Sequence, residues 1–97
     1  MMQIRDKRIV VTGGAGFLGR HIVSRLYEMG CTSVFSPRRN DYDLTTQAEV
    51  GRLFRELRPQ VVIHAAAVVG GIGANRDNPG RFLYENAMMG LLVIDAA

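Results

Sequence analysis

"VVTGGAGFLGR", residues 10–20, sets glycines at positions 13, 14, 16 and 19 directly behind the apolar run Ile9-Val10-Val11. The run is short, unbroken and β-branched, the pattern of a strand buried on both faces. From Phe17 the apolar residues recur as Phe17/Leu18, Ile22/Val23 and Leu26/Tyr27, which is helical spacing, and Gly30 supplies a stop. A strand, a glycine turn and a helix are therefore predicted in immediate succession. Gly13, Gly16 and Gly19 follow a GxxGxxG spacing across that turn, with Gly14 inside it. In such a setting the first glycine permits the tight turn and the second lets a diphosphate approach the backbone. The third lets the helix pack closely on the strand. Free N–H groups at the helix start, near Ala15 to Leu18 with Gly16 and Phe17 between them, would meet the phosphate charge, aided by the helix dipole. A plain structural turn is the alternative. A Walker-type phosphate loop is excluded, because Gly19 is followed by Arg20 and His21 rather than Lys-Ser/Thr.

The rest of the chain repeats the alternation. Ser33-Val34-Phe35 reads as a second strand, and "SPRRNDYD" (36–43) is loop chemistry. Thr45 or Thr46 can cap a second helix whose Val50, Leu53, Phe54 and Leu57 fall at i, i+3, i+4 and i+7, with Pro59 beyond its end. Val61-Val62-Ile63 is a third buried strand, and Pro79 suits the first turn of a last helix. The order strand–helix–strand–helix–strand–helix, with strands lacking polar alternation, argues an α/β fold: a Rossmann-like, doubly wound parallel sheet, of which these residues form the N-terminal part. Residues 41–44 leave open a very short additional strand.

Such a turn commonly serves a dinucleotide, and the end of the second strand indicates which one. An NAD site places an acidic residue there, about 20 residues past the glycines, for the ribose hydroxyls. This chain has Phe35 and Ser36, then Arg38 and Arg39. Guanidinium groups match a 2′-phosphate that a carboxylate would repel, so NADP(H) is favoured over NAD(H). Against this, both arginines can be a solvated turn, and Asp41 stands close by. Asp43, with Leu44 behind it, can accept from an adenine amino group or serve as a turn and cap residue.

The third strand runs into "VVIHAAAVVGGIGANRDNP" (61–79), whose small side chains would let a ligand lie against backbone at the carboxyl edge of the sheet. His64, at the strand end, is read as a buried, hydrogen-bonded residue rather than a catalytic base. No His, Cys or acidic residue lies at metal-ligand spacing from it, so no metal site is expected.

"TGGAGFLG" (12–19) with "HAAA" (64–67) resembles the extended short-chain dehydrogenase/reductases, the NAD-dependent epimerase/dehydratase family, which act largely on nucleotide sugars. Within them "AAAVVGGIGANRDNPGRFLYENAMMG" (65–90) is closely similar to the GDP-L-fucose synthases. That resemblance implies NADPH-dependent conversion of GDP-4-keto-6-deoxy-D-mannose to GDP-L-fucose, by epimerisation at two carbons and then hydride reduction. It carries cofactor roles onto Gly13, Gly16, Gly19 and the Arg38/Arg39 turn, and it lays Ala65, Ala66 and Ala67 along the cofactor. Gly70, Gly71 and Ile72 would fall near the nicotinamide and sugar. Asn86 would face the active site, although a helix-packing hydrogen bond explains it equally. Another nucleotide-sugar epimerase, dehydratase or reductase, or a dinucleotide-binding module without catalysis, are the alternatives.

The chain departs from that family in one respect. The family's catalytic Ser, Tyr-x-x-x-Lys pair and acid–base Cys and His are expected farther along. Here the tyrosines are Tyr27, Tyr42 and Tyr84, and Lys7 is the only lysine. No catalytic residue is therefore assigned. Residues 1–97 are expected to form a partial NAD(P)-binding domain without the substrate domain, inactive alone. The apolar "AMMGLLVIDAA" (87–97) asks for cover on more than one side, in keeping with a homodimer in the complete family enzyme.

Composition agrees. Residues 1–39 hold seven Lys/Arg against two acidic residues, and 40–97 hold five against seven. A basic first half suits a small polyanionic ligand, whereas a net charge of +3 without a basic, aromatic-interleaved stripe argues against nucleic acid. The single Cys31 excludes an internal disulfide and fits a reducing compartment. "MMQIRDKR" leads into no apolar signal core, and no apolar stretch is long enough for a bilayer. The chain reads as soluble and cytoplasmic, without a membrane partner.

Overall fold

The computed structural model describes residues 3–66 and 79–97. A single turn of 3-10 helix, Ile4–Asp6, precedes β1 (Ile9–Thr12), α1 (Phe17–Glu28), β2 (Val34–Phe35), α2 (Gln47–Leu57), β3 (Val61–His64) and α3 (Pro79–Ala96). The strands form one sheet in the order β2-β1-β3, all parallel. Ile9 lies opposite Val34 on one side and Val61 on the other, and Thr12 lies opposite His64. The predicted doubly wound, Rossmann-like arrangement is what forms.

β1 sits in the middle, and all four of its residues are buried. Period-2 alternation sends its side chains to two different cores. Ile9 and Val11 pack with Leu26 and Cys31, against Ile22 and Val23 of α1 and Val61 and Ile63 of β3. Val10 faces the opposite way, with Val50 and Leu53 of α2 and Met89 and Val93 of α3. One strand thus joins two apolar layers, which is why its sequence shows no polar alternation. Burying a side chain of this size stabilises by roughly 1.5–3 kcal/mol, so Val10→Ala should destabilise more than any change on exposed helix faces.

The helix ends follow their signals. Gly30, at φ +91°, lets the chain reverse after α1. Its N–H bonds the Tyr27 carbonyl at 3.0 Å, and the Cys31 N–H reaches Leu26 at 3.0 Å. That pair of bonds is the Schellman cap, and the accompanying apolar contact is Cys31 against Leu26 in the core. Cys31 is a buried core residue. Thr46, rather than Thr45, caps α2, accepting the Glu49 N–H at 3.3 Å. The helix ends at Arg58, in the left-handed region at φ 47°, just before Pro59.

One expectation is narrowed and one open point is decided. β2 is limited to Val34–Phe35, and residues 41–44 add no strand but turn into α2. The reason is local: Asp41, Asp43 and Thr46 all commit side chains or carbonyls to turn hydrogen bonds, which compete with sheet pairing.

Candidate functional site

Because the strands are parallel, their carboxyl ends open on one edge, and the three segments that leave them converge there. They enclose a cleft of about 530 Å³. One wall is the glycine turn, Gly13, Gly14, Ala15, Gly16, Phe17, Leu18 and Gly19; the opposite wall is Pro37, Arg38, Arg39, Tyr42, Asp43 and Leu44. Ala65 and Ala66, from the end of β3, and Met89 of α3 complete it.

The glycines divide the work differently from expectation. At Gly13, φ is +72°, and a Cβ would come within 2.8 Å of the Ala65 and Ala66 backbone. This glycine therefore serves both the turn and the close approach of β3. At Gly19 a side chain would overlap the Gly13 carbonyl, so the third glycine packs the helix onto the turn itself rather than onto the strand. Gly14 is closed off by the Ser36 hydroxyl. Gly16 alone is nearly free, a Cβ there meeting only the Gly13 oxygen at 3.3 Å.

The Gly16 N–H is used within the turn, donating to the Gly13 carbonyl at 3.0 Å. By contrast, the N–H groups of Ala15, Phe17 and Leu18 have no acceptor among the described residues. With the positive end of the α1 dipole behind them, they favour an anion at the cleft's glycine wall.

At the floor, Thr12 ties β1 to β3. Its hydroxyl accepts the Ala66 N–H at 3.1 Å and lies 2.7 Å from His64 Nδ1. Thr12 is buried, whereas the His64 side chain is exposed. His64 is thus hydrogen-bonded as expected but not buried. Partial desolvation still holds its imidazole below the ordinary histidine range.

Arg38 and Arg39 are exposed at the cleft's mouth, and among the described residues neither guanidinium is in an ion pair. Asp41 makes no ion pair with either among the described residues, and its Oδ2 accepts the Arg38 main-chain N–H at 3.0 Å. Asp43 is a turn residue that also lines the cleft. Its Oδ1 accepts the Thr45 hydroxyl at 2.6 Å and the Thr45 N–H at 3.0 Å. Those two bonds hold its carboxyl below the usual range, with a smaller contribution from the Arg39 charge.

Ser36 is exposed and lines a neighbouring hollow beneath the loop, with Phe35, Tyr42 and Arg52. Asn86 is half-buried on α3 and is not among the described residues of the cleft wall. Ala67, Gly70, Gly71 and Ile72 lie outside the described residues. Sequence reasoning missed Pro37, Tyr42 and Met89. Pro37 and Tyr42 could have been found as neighbours of Ser36 and Asp43, while Met89 carries no signal that separates it from ordinary core. No group of His, Cys, Asp and Glu that could hold a metal ion occurs among the described residues.

The NAD dependent epimerase/dehydratase family matches residues 9–97. The GDP-L-fucose synthase of Azorhizobium caulinodans is 39% identical over 90 residues, covering 93% of this chain and 28% of that protein. The GDP-L-colitose synthase of Yersinia pseudotuberculosis is 35% identical over 94 residues, covering 93% of this chain and 29% of the other. Two solved structures are similar throughout. The GDP-mannoheptose C4 reductase of Campylobacter jejuni, with NADP bound, has a TM-score of 0.89 at 30% identity, over 99% of this chain and 30% of its own. A GDP-L-fucose synthetase from Naegleria fowleri, bound to NADP, has a TM-score of 0.78 at 30% identity, over 99% and 29%. The chain therefore spans less than a third of each of these relatives.

Proposed function

The chain belongs to the NAD dependent epimerase/dehydratase family, and from that premise we propose that residues 1–97 form the NADPH-binding part of an enzyme of the GDP-L-fucose synthase kind. The observation that carries this reading is the cleft itself. It joins bare backbone at Gly13–Gly19 to two uncommitted arginines, in a chain 39% identical to a GDP-L-fucose synthase. The diphosphate would lie along the glycine wall, against the N–H groups of Ala15, Phe17 and Leu18. Arg38 and Arg39 would hold the 2′-phosphate. Asp43 and Leu44 would border the adenine, and Ala65 to Ala67 would let the rest of the cofactor lie close to β3.

When bound, the cofactor supplies the hydride that reduces a 4-keto sugar, here GDP-4-keto-6-deoxy-D-mannose, after two epimerisations. In this reading Gly70, Gly71, Ile72 and Asn86 lie toward that sugar. The second reading is a reductase acting on another GDP-linked sugar, supported by the likeness to the GDP-mannoheptose C4 reductase at a TM-score of 0.89. Exposed Tyr84, Leu91 and Ile94 along α3 support pairing with a second copy. A cytoplasmic location is part of the same reading, and no helix among the described residues is long and apolar enough to cross a membrane.

Calorimetric titration tests the cofactor. Binding is expected to be weak, with NADPH preferred over NADH by about tenfold or more, the worth of one charge-assisted phosphate contact. Equal affinity, or a preference for NADH, would overturn the assignment of Arg38 and Arg39. These 97 residues contain no Tyr-x-x-x-Lys. Alone they should give no GDP-L-fucose from GDP-4-keto-6-deoxy-D-mannose and NADPH, and detection of product would refute that.

A further inference from the structure

Arg52 of α2 lies outside the cleft, yet every nitrogen of its guanidinium is committed. Nε donates to Glu49 Oε2 at 2.7 Å, Nη2 to Glu49 Oε1 at 3.0 Å, and Nη1 to Glu56 Oε1 at 3.2 Å. Nη2 also donates to the main-chain carbonyl of Asp41. The same guanidinium sits over the Tyr42 ring, with Cζ 4.2 Å from its centroid. The Tyr42 hydroxyl in turn donates to Glu56 Oε1 at 2.6 Å.

The two helical ion pairs alone would be an ordinary solvated surface, contributing little. The contacts to Asp41 and Tyr42 are different in kind, because they reach back about three turns' worth of sequence to the loop after β2. That loop is itself a closed turn. The Asp41 and Tyr42 N–H groups both bond the Arg38 carbonyl, at 2.9 and 3.1 Å, and Asp41 Oδ2 takes the Arg38 N–H. A continuous path therefore runs from α2, through the Asp41–Tyr42 peptide, to the residues that carry Arg38 and Arg39. Tyr42 lines the cleft as well as the hollow behind the loop.

Charge supports the same division of labour. Glu49 and Glu56 offset the Arg52 charge, so the clamp presents no competing cation. Arg38 and Arg39, free of ion pairs among the described residues, remain the positive groups at the cleft. The fixation also needs an arginine in particular. A planar fork can bind a carboxylate edge-on, donate to a carbonyl and stack on a ring at once, whereas an ammonium cannot.

We propose that Arg52, held by Glu49 and Glu56 and stacked on Tyr42, is a positioning residue that pre-sets the 38–43 turn so that Arg38 and Arg39 select a 2′-phosphorylated adenosine. The proposal rests on the reading of the cleft as an NADP(H) site. A turn already ordered loses less freedom on binding, and apparent affinity scales with the fraction of molecules whose turn is competent.

Adenosine 2′,5′-bisphosphate and AMP are the probes, titrated by NMR into the full chain and its Arg52→Met, Arg52→Lys and Glu56→Gln variants. The wild-type chain should prefer the bisphosphate. Arg52→Met should cut that preference by about three- to tenfold while AMP affinity stays within about twofold. Its amide exchange at Asp41 and Tyr42 should accelerate. Glu56→Gln should shift both readouts in the same direction by less, and Arg52→Lys should recover only part of the preference. If Arg52→Met and Glu56→Gln keep the wild-type preference, or lose both probes equally, Arg52 is no positioning residue. If the wild-type chain itself shows no preference, the reading of Arg38 and Arg39 falls first, and this proposal with it.

Discussion

Gly13→Val should abolish nucleotide binding and leave the chain largely unfolded at 37 °C. Two independent penalties meet at this position. A valine at φ +72° occupies a region that β-branched residues avoid, and its Cβ would stand 2.7 Å from the Ala66 nitrogen and 2.8 Å from the Ala65 carbonyl carbon. Neither neighbour is a side chain that can swing away, because both are main-chain atoms directly after β3. Backbone strain and overpacking each cost about 1–3 kcal/mol, giving about 2–6 kcal/mol together. A domain this small has little more than that to lose. Gly16→Ala is the control. Its Cβ meets only one oxygen, at 3.3 Å, so the fold should survive while the methyl group blocks the diphosphate's approach. Denaturant unfolding and NADPH titration on the two variants separate a structural glycine from a ligand-facing one. A Gly13→Val chain with wild-type stability would show that β3 does not close on the turn as described.

That contrast also measures how far the sequence could be read. The positions of the glycines, the stop at Gly30, a cap at Thr45 or Thr46, and the apolar run of β1 were legible because each rests on a local rule: a turn, a helix end, a buried strand. The membership of the cleft followed largely from topology, since parallel strands bring their carboxyl ends together whatever the loops contain. What could not be read were contacts between residues that no period links. Gly19 rests on the Gly13 carbonyl and not on a strand because the turn folds under the helix, a matter of angle rather than spacing. His64 belongs to an apolar run, which suggests burial, but β3 lies at the border of the described sheet and its last side chain faces out. Arg52 carries no local signal that separates it from any other charge on a helix. Its meaning lies in Asp41 and Tyr42, which the sequence offers only as turn residues.

Thr12→Val should cost about 2 kcal/mol of stability, mostly from one stranded amide. The substitution keeps the shape of a fully packed residue and removes only the hydroxyl. With the Ala66 N–H on one lone pair, the wild-type hydroxyl keeps a proton and a second lone pair, so it bonds His64 Nδ1 in either ring tautomer. Water can replace the lost bond at the exposed His64, but Ala66 is half-buried and its N–H has no other acceptor among the described residues. For a chain of this size the change should appear as a fall of about 8–16 °C in Tm. Acid provides a second reading at the same end of the sheet. His64 lies below the ordinary histidine pKa in the fold, so as pH drops through about 6.5 the unfolded chain takes up the proton first and stability declines. That decline ends once the folded protein is protonated as well. Burial, not the Thr12 hydroxyl, causes that shift, so urea unfolding between pH 7 and pH 5 should show an acid loss in both chains, with Thr12→Val beginning from a lower plateau. A variant as stable as the wild type at pH 7 would mean that the hydroxyl does not hold the ends of β1 and β3 together. The floor of the cleft would then depend on main-chain pairing alone.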